Sequence, residues 1–255
     1  MTQVDTRALE RKVKSMYERV ATDPAGEFHF EMGRGLAERL GYSTSRLDRV
    51  PEAAIESFAG VGHHFGLASL RAGDRVLDLG SGSGLDTFVA SLEVGPTGKV
   101  VGVDMTAGQL DKAEALRKKA GFDNVEYVRG YIDALPFDDA SFDAVISNGV
   151  INLAADKHGV FAEAARVLSP GGRLAVSDIV TGEPLPQGIV CDATLWAACI
   201  GGAIERRAYQ EAIEGAGLRI ERLEMNPQYR FLSDQADGAT RRYRVHSISL
   251  VATKP

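Results

Sequence analysis

The sequence predicts an α/β fold, with a Rossmann-like, doubly wound and mostly parallel sheet that carries helices on both faces. Two observations predict it. From about residue 73 onward, short apolar runs alternate with segments of helical periodicity, which is the order of elements in βαβ units. The apolar runs are nearly continuous, as in strands that are buried on both faces of a sheet. The predicted strands cover residues 76–79, 100–103, 125–128, 142–146 and 174–176.

The helix after the second predicted strand is well marked at both ends. Thr106 and Gln109 have the spacing of a capping box at its start, and Gly121 stands where the helix should end. Further along, residues 170–172, which read Pro-Gly-Gly, should turn a helix that ends near Leu168 into the next strand.

The two ends of the chain differ from this core. Before residue 73 the periodicity is helical only, with Val13, Met16 and Tyr17 on one face of the first helix. After residue 180 the pattern predicts two helices, around residues 193–204 and 208–216, and two strands, LRIERLEM and HSISLVAT. We therefore expect a helical segment over residues 1–72 that covers one edge of the core, a Rossmann-like core over residues 73–180, and cap helices with the final strands over residues 181–255.

Composition restricts the class of protein. The chain has 255 residues, 44 % of them hydrophobic, which is enough for an ordinary globular core. Its formal net charge of −6 disfavours nucleic acid as a partner, because phosphate contacts need a basic surface. No apolar run approaches the roughly 20 residues of a membrane helix and the first residues are charged, so we expect a cytoplasmic protein without membrane contact. Two cysteines are too few for a disulfide framework, and both a monomer and a homodimer remain open.

A glycine-rich segment follows the first predicted strand and reads DLGSGSG from Asp78 to Gly84. Alternate glycines allow a sharp turn and bring a ligand close to backbone amides at the start of the next helix. Asp104, at the end of the next strand, is placed to accept hydrogen bonds from both hydroxyls of a ribose. These features predict a site for a cofactor that contains a nucleoside.

Asp78 distinguishes two cofactor classes. A dinucleotide places its pyrophosphate over the glycines, where the Asp78 carboxylate adds an unfavourable negative charge. S-adenosylmethionine has ribose and adenine but carries a sulfonium and an ammonium instead of phosphates, so the same carboxylate favours it. The alternative is a buried Asp78 that only bonds to loop amides.

The run D-x-G-x-G-x-G, with Asp104 one strand later and GYIDALPF after the third strand, resembles the seven-stranded S-adenosylmethionine-dependent methyltransferases. The resemblance implies a seven-stranded sheet whose last strand, HSISLVAT, runs antiparallel. The cofactor-binding residues that it implies are Asp78, Gly80, Ser81, Gly82 and Gly84 in the loop, Asp104 on the ribose, Met105 on one adenine face, and Tyr131, Ile132 and Asp133 at the adenine edge.

Three further residues are candidates for the cofactor site by the same resemblance. Ser147 and Asn148 stand where family members line the junction of cofactor and acceptor, although helix capping explains them nearly as well. Tyr17 lies on the N-terminal helix, which is placed to close over the cofactor, although simple packing explains the same pattern.

Segments outside the cofactor motif, among them ISNGVINLAADK and ACIGGA, resemble the arsenite methyltransferases. Trivalent arsenic needs soft thiolate ligands. The resemblance implies three cysteine positions, which read Val61, Gly149 and Cys199 in this chain. Cys191 is a poor substitute, because a helix between the two cysteines would hold them about 12 Å apart.

His63 and His64 occupy the loop that supplies one of the family's cysteines. A histidine near the transferring methyl could accept a proton from an oxygen, nitrogen or sulfur nucleophile, since its usual pKa is near neutral. Cys199, His63 and His64 are therefore the candidate catalytic residues, with surface or packing roles as the alternative. The histidines and cysteines show no metal-ligand spacing, so we expect no metal site.

The sequence thus favours an S-adenosylmethionine-dependent methyltransferase for a small-molecule acceptor, which is arsenite-methyltransferase-like but lacks most of the arsenic-binding cysteines. Two alternatives stay open. One is a non-catalytic module that binds S-adenosylmethionine, and the other is a nicotinamide-dependent oxidoreductase, which Asp78 and the glycine spacing disfavour.

Overall fold

The computed structural model describes residues 5–28, 30–190, 196, 201–231 and 242–255. Short helices precede the sheet, and strands alternate with helices after residue 74. The helices are α1 (Thr6–Thr22), α2 (Arg34–Leu40), α3 (Thr44–Leu47), α4 (Glu52–Glu56), α5 (Phe65–Ala68), α6 (Leu85–Val94), α7 (Ala107–Ala120), α8 (Lys157–Val167), α9 (Gln187–Val190) and α10 (Arg206–Gly215), with a 3-10 turn at Ile151–Leu153. The strands are β1 (Arg75–Leu79), β2 (Lys99–Asp104), β3 (Val125–Arg129), β4 (Phe142–Asn148), β5 (Leu168–Val180), β6 (Arg219–Met225) and β7 (His246–Thr253).

The seven strands form one sheet in the order β3-β2-β1-β4-β5-β7-β6. The first five pair in parallel, and β7 runs antiparallel to both β5 and β6. The predicted fold class is confirmed, as is the antiparallel final strand HSISLVAT. Because the order reverses beside β1, the carboxyl ends of β1, β2 and β4 meet at the switch point where α/β sheets bind ligands.

The passage from α8 to β5 differs from the prediction. Helix α8 ends at Val167, and β5 begins directly at Leu168, so residues 170–172 lie within the strand. The register between β4 and β5 shifts there: Leu168 pairs with Phe142, but Arg173 already pairs with Ala144. The two glycines lie in this irregular part of the ladder. A Pro-Gly-Gly sequence alone does not distinguish such an irregularity from a loop.

Alternate strand residues supply two cores, one on each face of the sheet. In β1, Val76 belongs to the cluster that includes residues of α2 to α6, whereas Leu77 and Leu79 belong to the cluster under α8 and α10. Asp78 therefore points to the same face as Val76, towards the N-terminal helices. Those helices share a core with the sheet.

The predicted helix over residues 208–216 is α10, and LRIERLEM forms β6. Most of the predicted helix over residues 193–204 lies outside the described residues. No helix among the described residues is long and apolar enough to cross a membrane.

We predict that Phe161→Ala lowers the free energy of unfolding by about 3–5 kcal/mol, the usual cost of removing a fully buried aromatic ring. Phe161 on α8 is fully buried and packs edge-on against Tyr209 of α10, with ring centroids 5.1 Å apart. Urea denaturation measures the change. The control is Met225→Ala, at a half-exposed side chain, which should change stability by no more than about 0.5 kcal/mol. Equal effects in the two variants would contradict this account of the core.

Candidate cofactor and acceptor site

A cavity of about 260 Å³ opens at the carboxyl ends of β1, β2 and β4. Its floor is the glycine loop, and the turn after β4 lines one side. Helix α1 closes it from above with Thr6, Leu9, Glu10, Val13 and Tyr17. The cavity therefore combines the part of the chain that the glycine motif marked with a helix far from it in sequence.

The glycine loop requires glycine for both conformation and space. Gly80 has φ of 69°, and a Cβ there would lie 2.4 Å from the Val150 side chain. Gly84 has φ of 96°, and a Cβ there would lie 2.1 Å from the Tyr127 hydroxyl. The left-handed backbone and the close neighbours both exclude a larger residue.

Asp104 holds the loop in place from the end of β2. Its two carboxylate oxygens accept hydrogen bonds from the backbone N–H groups of Gly82, at 3.0 Å, and Thr106, at 2.8 Å. Burial raises the pKa of Asp104, and these two amide hydrogen bonds oppose the rise. Asp104 lines the cavity, so this buried carboxylate is in reach of a ligand.

Asp78 is also buried and lines the cavity. Its carboxylate accepts a hydrogen bond of 2.6 Å from the Thr87 hydroxyl. Burial raises its pKa well above the ordinary value, and the nearby negative charge of Asp86 raises it further. A positive charge in the cavity would relieve both effects.

The lining as a whole is acidic. Its described residues include five carboxylic acids and no lysine, arginine or histidine; the acids are Glu10, Asp78, Asp86, Asp104 and Asp133. Glu10 is paired with Lys14 and Asp133 is exposed, but Asp78 and Asp86 are buried, with no lysine or arginine beside them in the described lining. Buried carboxylates without a positive partner are costly, so the cavity suits a ligand that brings positive charge. A pyrophosphate would meet repulsion here, whereas the sulfonium and ammonium of S-adenosylmethionine fit.

The loop also offers an unused polar group. The Ser81 hydroxyl is buried, lines the cavity and finds no hydrogen-bond partner among the described residues. A buried hydroxyl without a partner costs free energy, which a ligand hydrogen bond would recover. The donor set of the cavity thus fits a cationic cofactor with polar groups.

The predicted capping box at the start of α7 is wrong. Thr106 is the N-cap residue, but Gln109 does not bond back to it. Instead, Gln109 accepts a hydrogen bond from the Ser83 hydroxyl at 2.5 Å and donates one to the Tyr17 carbonyl at 2.8 Å. The Gln109 side-chain amide therefore makes tertiary hydrogen bonds instead of capping α7. These bonds link α1 to the glycine loop.

A second polar link joins α1 to the cavity mouth. The Tyr131 hydroxyl donates to Glu10 at 2.8 Å and accepts from Lys14 at 2.8 Å. The same lysine ammonium lies 4.8 Å from the centre of the Tyr131 ring. The side chain predicted at the adenine edge thus fixes the N-terminal helix at the rim.

The structure brings most of the predicted cofactor residues to one lining. These are Tyr17, Asp78, Gly80, Ser81, Gly82, Gly84, Asp104, Met105, Tyr131, Ile132, Asp133 and Asn148. Ser147 lies outside the lining, because it is buried with its hydroxyl bonded to the Leu79 carbonyl at 3.2 Å. Cys199 and Cys191 lie outside the described residues.

The two histidines also lie outside the described lining. His64 is fully buried and stacks on Phe65 at 4.7 Å, and burial lowers its pKa to about 3, so it is neutral at ordinary pH. His63 packs edge-on against Tyr42, with ring centroids 4.7 Å apart. Burial and the neighbouring His64 lower the pKa of His63. The structure therefore places both rings in a packed layer behind the cavity wall.

Sequence reasoning missed Asp86, which lines the cavity from the first turn of α6. It accepts hydrogen bonds from the Tyr42 hydroxyl and the Asn148 amide. An acidic residue in a first helical turn usually indicates only a favourable interaction with the helix dipole. Its partners are 44 and 62 residues away, so no local signal identifies this group.

We predict that Gln109→Ala loosens α1 without unfolding the core. The Gln109 side chain bonds to the Tyr17 carbonyl of α1 and to Ser83 of the glycine loop, and the substitution removes both hydrogen bonds. Hydrogen exchange of peptides from residues 6–22 should become about tenfold faster or more, as expected when about 1–2 kcal/mol of local stability is lost. The control is Gln187→Ala, at an exposed position on α9. Unchanged exchange in α1 would show that the Gln109 side chain does not hold the helix.

Comparisons with known proteins identify the family of this chain. The model of the methyltransferase domain family matches residues 70–217. An arsenite methyltransferase from Halobacterium salinarum is 40 % identical over 223 residues, which cover 86 % of this chain and 56 % of that protein. Another from Aquipseudomonas alcaligenes is 42 % identical over 162 residues, 61 % of this chain and 47 % of that protein. The chain thus spans about half the length of these curated relatives.

Solved structures give the same picture. The crystal structure of an arsenic(III) S-adenosylmethionine methyltransferase from Chlamydomonas reinhardtii matches with a TM-score of 0.63 and 30 % identity. The match covers 88 % of this chain and 74 % of that one. The segment matched by the family model contains the five parallel strands and the glycine loop. The chain therefore belongs to the methyltransferase domain family, as an S-adenosylmethionine-dependent, arsenite-methyltransferase-like member.

Proposed function

We propose that this chain transfers the methyl group of S-adenosylmethionine to a small organic acceptor that binds under α1. The observation that carries the proposal is the cavity itself: its floor is a glycine loop held by Asp104, and its described lining carries five carboxylic acids without a basic side chain. Such a lining selects a cationic cofactor over a phosphorylated one.

In this proposal the loop and the strand ends hold the cofactor. Asp104 binds the ribose hydroxyls, and Asp78 supplies negative charge beside the methionine part. Met105 covers one adenine face, and Tyr131 and Asp133 bound the adenine edge. The support is that all five residues line one cavity.

When bound, S-adenosylmethionine supplies an electrophilic methyl group on a positively charged sulfur. The protein's task is then alignment and exclusion of water, since an in-line displacement needs no covalent intermediate with a side chain. Helix α1 is suited to the second task, because Leu9 and Val13 are buried and line the cavity from above.

Arsenite is disfavoured as the acceptor by the residues at two of the family's cysteine positions. The Val61 side chain is 1 % exposed, and its Cγ1 lies 3.2 Å from the place that a Cβ on Gly149 would take. The two positions therefore converge, as ligands of one atom should, but neither carries sulfur. Gly149 also has φ of 72°, which a cysteine would adopt only with strain.

The apolar side chains beside Val61 favour an apolar acceptor body instead: Leu9, Val13 and Leu153 line the cavity, although Val61 itself lies outside the described lining. Val61 belongs to an apolar cluster with Leu9, Val13, Leu153 and Trp196. Of the predicted catalytic residues, Cys199 remains a candidate to contact the acceptor through the resemblance of ACIGGA. His63 and His64 have less support, because they lie outside the described lining.

We predict that the wild-type protein, given S-adenosylmethionine, arsenite and a small thiol, forms no methylarsenicals, because at most one of the three thiolate positions is filled. Mass spectrometry for methylarsenicals and S-adenosylhomocysteine measures this, with a panel of apolar thiols, phenols and amines assayed in parallel. Turnover of an organic acceptor supports the proposal. Cofactor binding without turnover on the whole panel would favour the non-catalytic alternative.

A thiol at position 61 provides the converse test. Val61→Cys should tighten binding of trivalent arsenic by about tenfold, because it adds a soft ligand at the converging position. The matched control is Val125→Cys, a buried valine on β3 outside the cavity. Methylation of arsenite by the wild-type protein would refute the assignment of an organic acceptor.

We predict that Asp104→Ala weakens S-adenosylmethionine binding by about 1–3 kcal/mol, because buried hydrogen bonds to the ribose are lost and the glycine loop loses the bond to Gly82. Isothermal titration calorimetry measures the affinity. The control is Asp138→Ala, which removes an exposed carboxylate outside the cavity lining. Unchanged affinity would remove Asp104 from the cofactor site.

A further inference from the structure

We propose that Asp86 is a positioning residue that couples the positive charge of the bound cofactor to the backbone of residues 61 and 62 at the acceptor end of the cavity. The inference rests on the proposed function and deepens it. It gives the carboxylate a role in distinguishing the loaded cofactor from the spent one.

Asp86 is placed to sense charge in the cavity. The residue is only 6 % exposed, yet it lines the cavity from the first turn of α6. Its two carboxylate oxygens accept hydrogen bonds from the Tyr42 hydroxyl, at 2.5 Å, and from the Asn148 amide, at 3.0 Å. Burial raises its pKa, and these two donors oppose the rise. Two other titratable groups face Asp86: a positive charge on His63 would lower its pKa, and Asp86 itself raises the pKa of the neighbouring Asp78. The described lining holds no lysine or arginine.

Asn148 carries the connection to the acceptor side. Its side-chain oxygen accepts hydrogen bonds from the N–H groups of Val61, at 2.8 Å, and Gly62, at 3.3 Å. Its side-chain nitrogen lies within hydrogen-bond distance of three acceptors: the Gly62 carbonyl at 3.0 Å, Asp86 at 3.0 Å and the Tyr42 hydroxyl at 3.1 Å. An amide has only two N–H groups, so these acceptors compete. The charge on Asp86 therefore influences how firmly Asn148 holds residues 61 and 62.

Asp104 and Asp86 have their partners on opposite sides of the cavity. Asp104 bonds to Gly82 and Thr106, on the β2 side of the glycine loop. Asp86 bonds to Asn148 and Tyr42, on the β4 side, where residues 60–62 approach. On that side the Val61 side chain packs in the apolar cluster beneath α1. Asp86 is thus the carboxylate that links the cofactor cavity to the proposed acceptor end.

The chemistry of methyl transfer makes this link informative. Asp86 shares its cavity with a positive sulfur before transfer and with a neutral sulfur after it, because the sulfonium loses its charge with the methyl group. A carboxylate in a low-dielectric site responds strongly to such a change. Asp86 should therefore be held ionised in the loaded complex and less so in the spent one. The contacts of Asn148 with residues 61 and 62 should differ between the two complexes.

Calorimetry with two ligands tests the charge-sensing role. S-adenosylmethionine and S-adenosylhomocysteine differ by the methyl group and its positive charge. Asp86→Asn should lower the affinity for S-adenosylmethionine by about tenfold and that for S-adenosylhomocysteine by less than about twofold, as expected for loss of one nearby charge. The matched control, Asp138→Asn, makes the same change at an exposed position outside the lining and should leave both affinities unchanged.

A milder variant tests the same role if Asp86→Asn does not fold. Tyr42→Phe keeps the ring that packs against Phe58 and Phe65 but removes the hydroxyl that donates to Asp86. Since a charge-assisted hydrogen bond is lost, the ratio of the two affinities should fall in the same direction, by about threefold. Hydrogen exchange of peptides from residues 59–66 gives a second readout. In the wild type, S-adenosylmethionine should slow this exchange more than S-adenosylhomocysteine does.

The outcomes separate this inference from the proposed function. If the wild-type protein binds neither ligand, the proposed function fails and the inference fails with it. If the wild type binds both and Asp86→Asn lowers both affinities equally, Asp86 has only a structural role, and the proposed function stands without it. A selective loss for S-adenosylmethionine, together with loss of the exchange difference over residues 59–66, supports the coupling.

Discussion

The burial of negative charge without a basic partner is the constraint on which the arrangement of this site depends. Asp78 and Asp86 are almost fully buried and Asp104 is partly buried around one cavity, and burial raises the pKa of each. The protein stabilises them with neutral donors: the Thr87 hydroxyl, the Tyr42 hydroxyl and backbone amides. Neutral donors leave the negative field in place. The site is therefore suited to a cation.

The same constraint explains how distant segments meet. The carboxylates draw their donors from different parts of the fold, so satisfying them also fixes the glycine loop, the end of β4 and the segment after α2. Gln109 extends the network to α1, where it meets the Tyr17 carbonyl. A cavity wall built in this way is closed by polar links at its rim and by apolar contacts of Leu9 and Val13 beneath. This combination suits a reaction from which water must be excluded.

The proposed acceptor end combines a well-anchored backbone with side chains that carry no sulfur among the described residues. Val61 and Gly149 converge as two ligands of one atom would, yet their side chains offer only apolar contact and backbone freedom. The surrounding backbone remains precisely anchored, with the Val61 amide bonded to Asn148 and its carbonyl to Ser247. In the proposed function, the anchored backbone around Val61 helps to present the acceptor, whereas the side chains at positions 61 and 149 supply no thiolate for arsenic.

The sequence by itself determined the sheet, the glycine loop and part of the cavity lining. Strands that are buried on both faces need continuous apolar runs, and a left-handed turn against a neighbour needs glycine, so Gly80 and Gly84 are visible as local signals. Tertiary structure alone decided the rest. Gln109 bonds to the Tyr17 carbonyl of α1 instead of capping α7, and His64 is buried in a packed layer. Asp86 accepts hydrogen bonds from residues 44 and 62 positions away. The physical reason is that hydrogen bonds of buried polar side chains are satisfied in space, and spacing along the chain does not encode which segments will meet there.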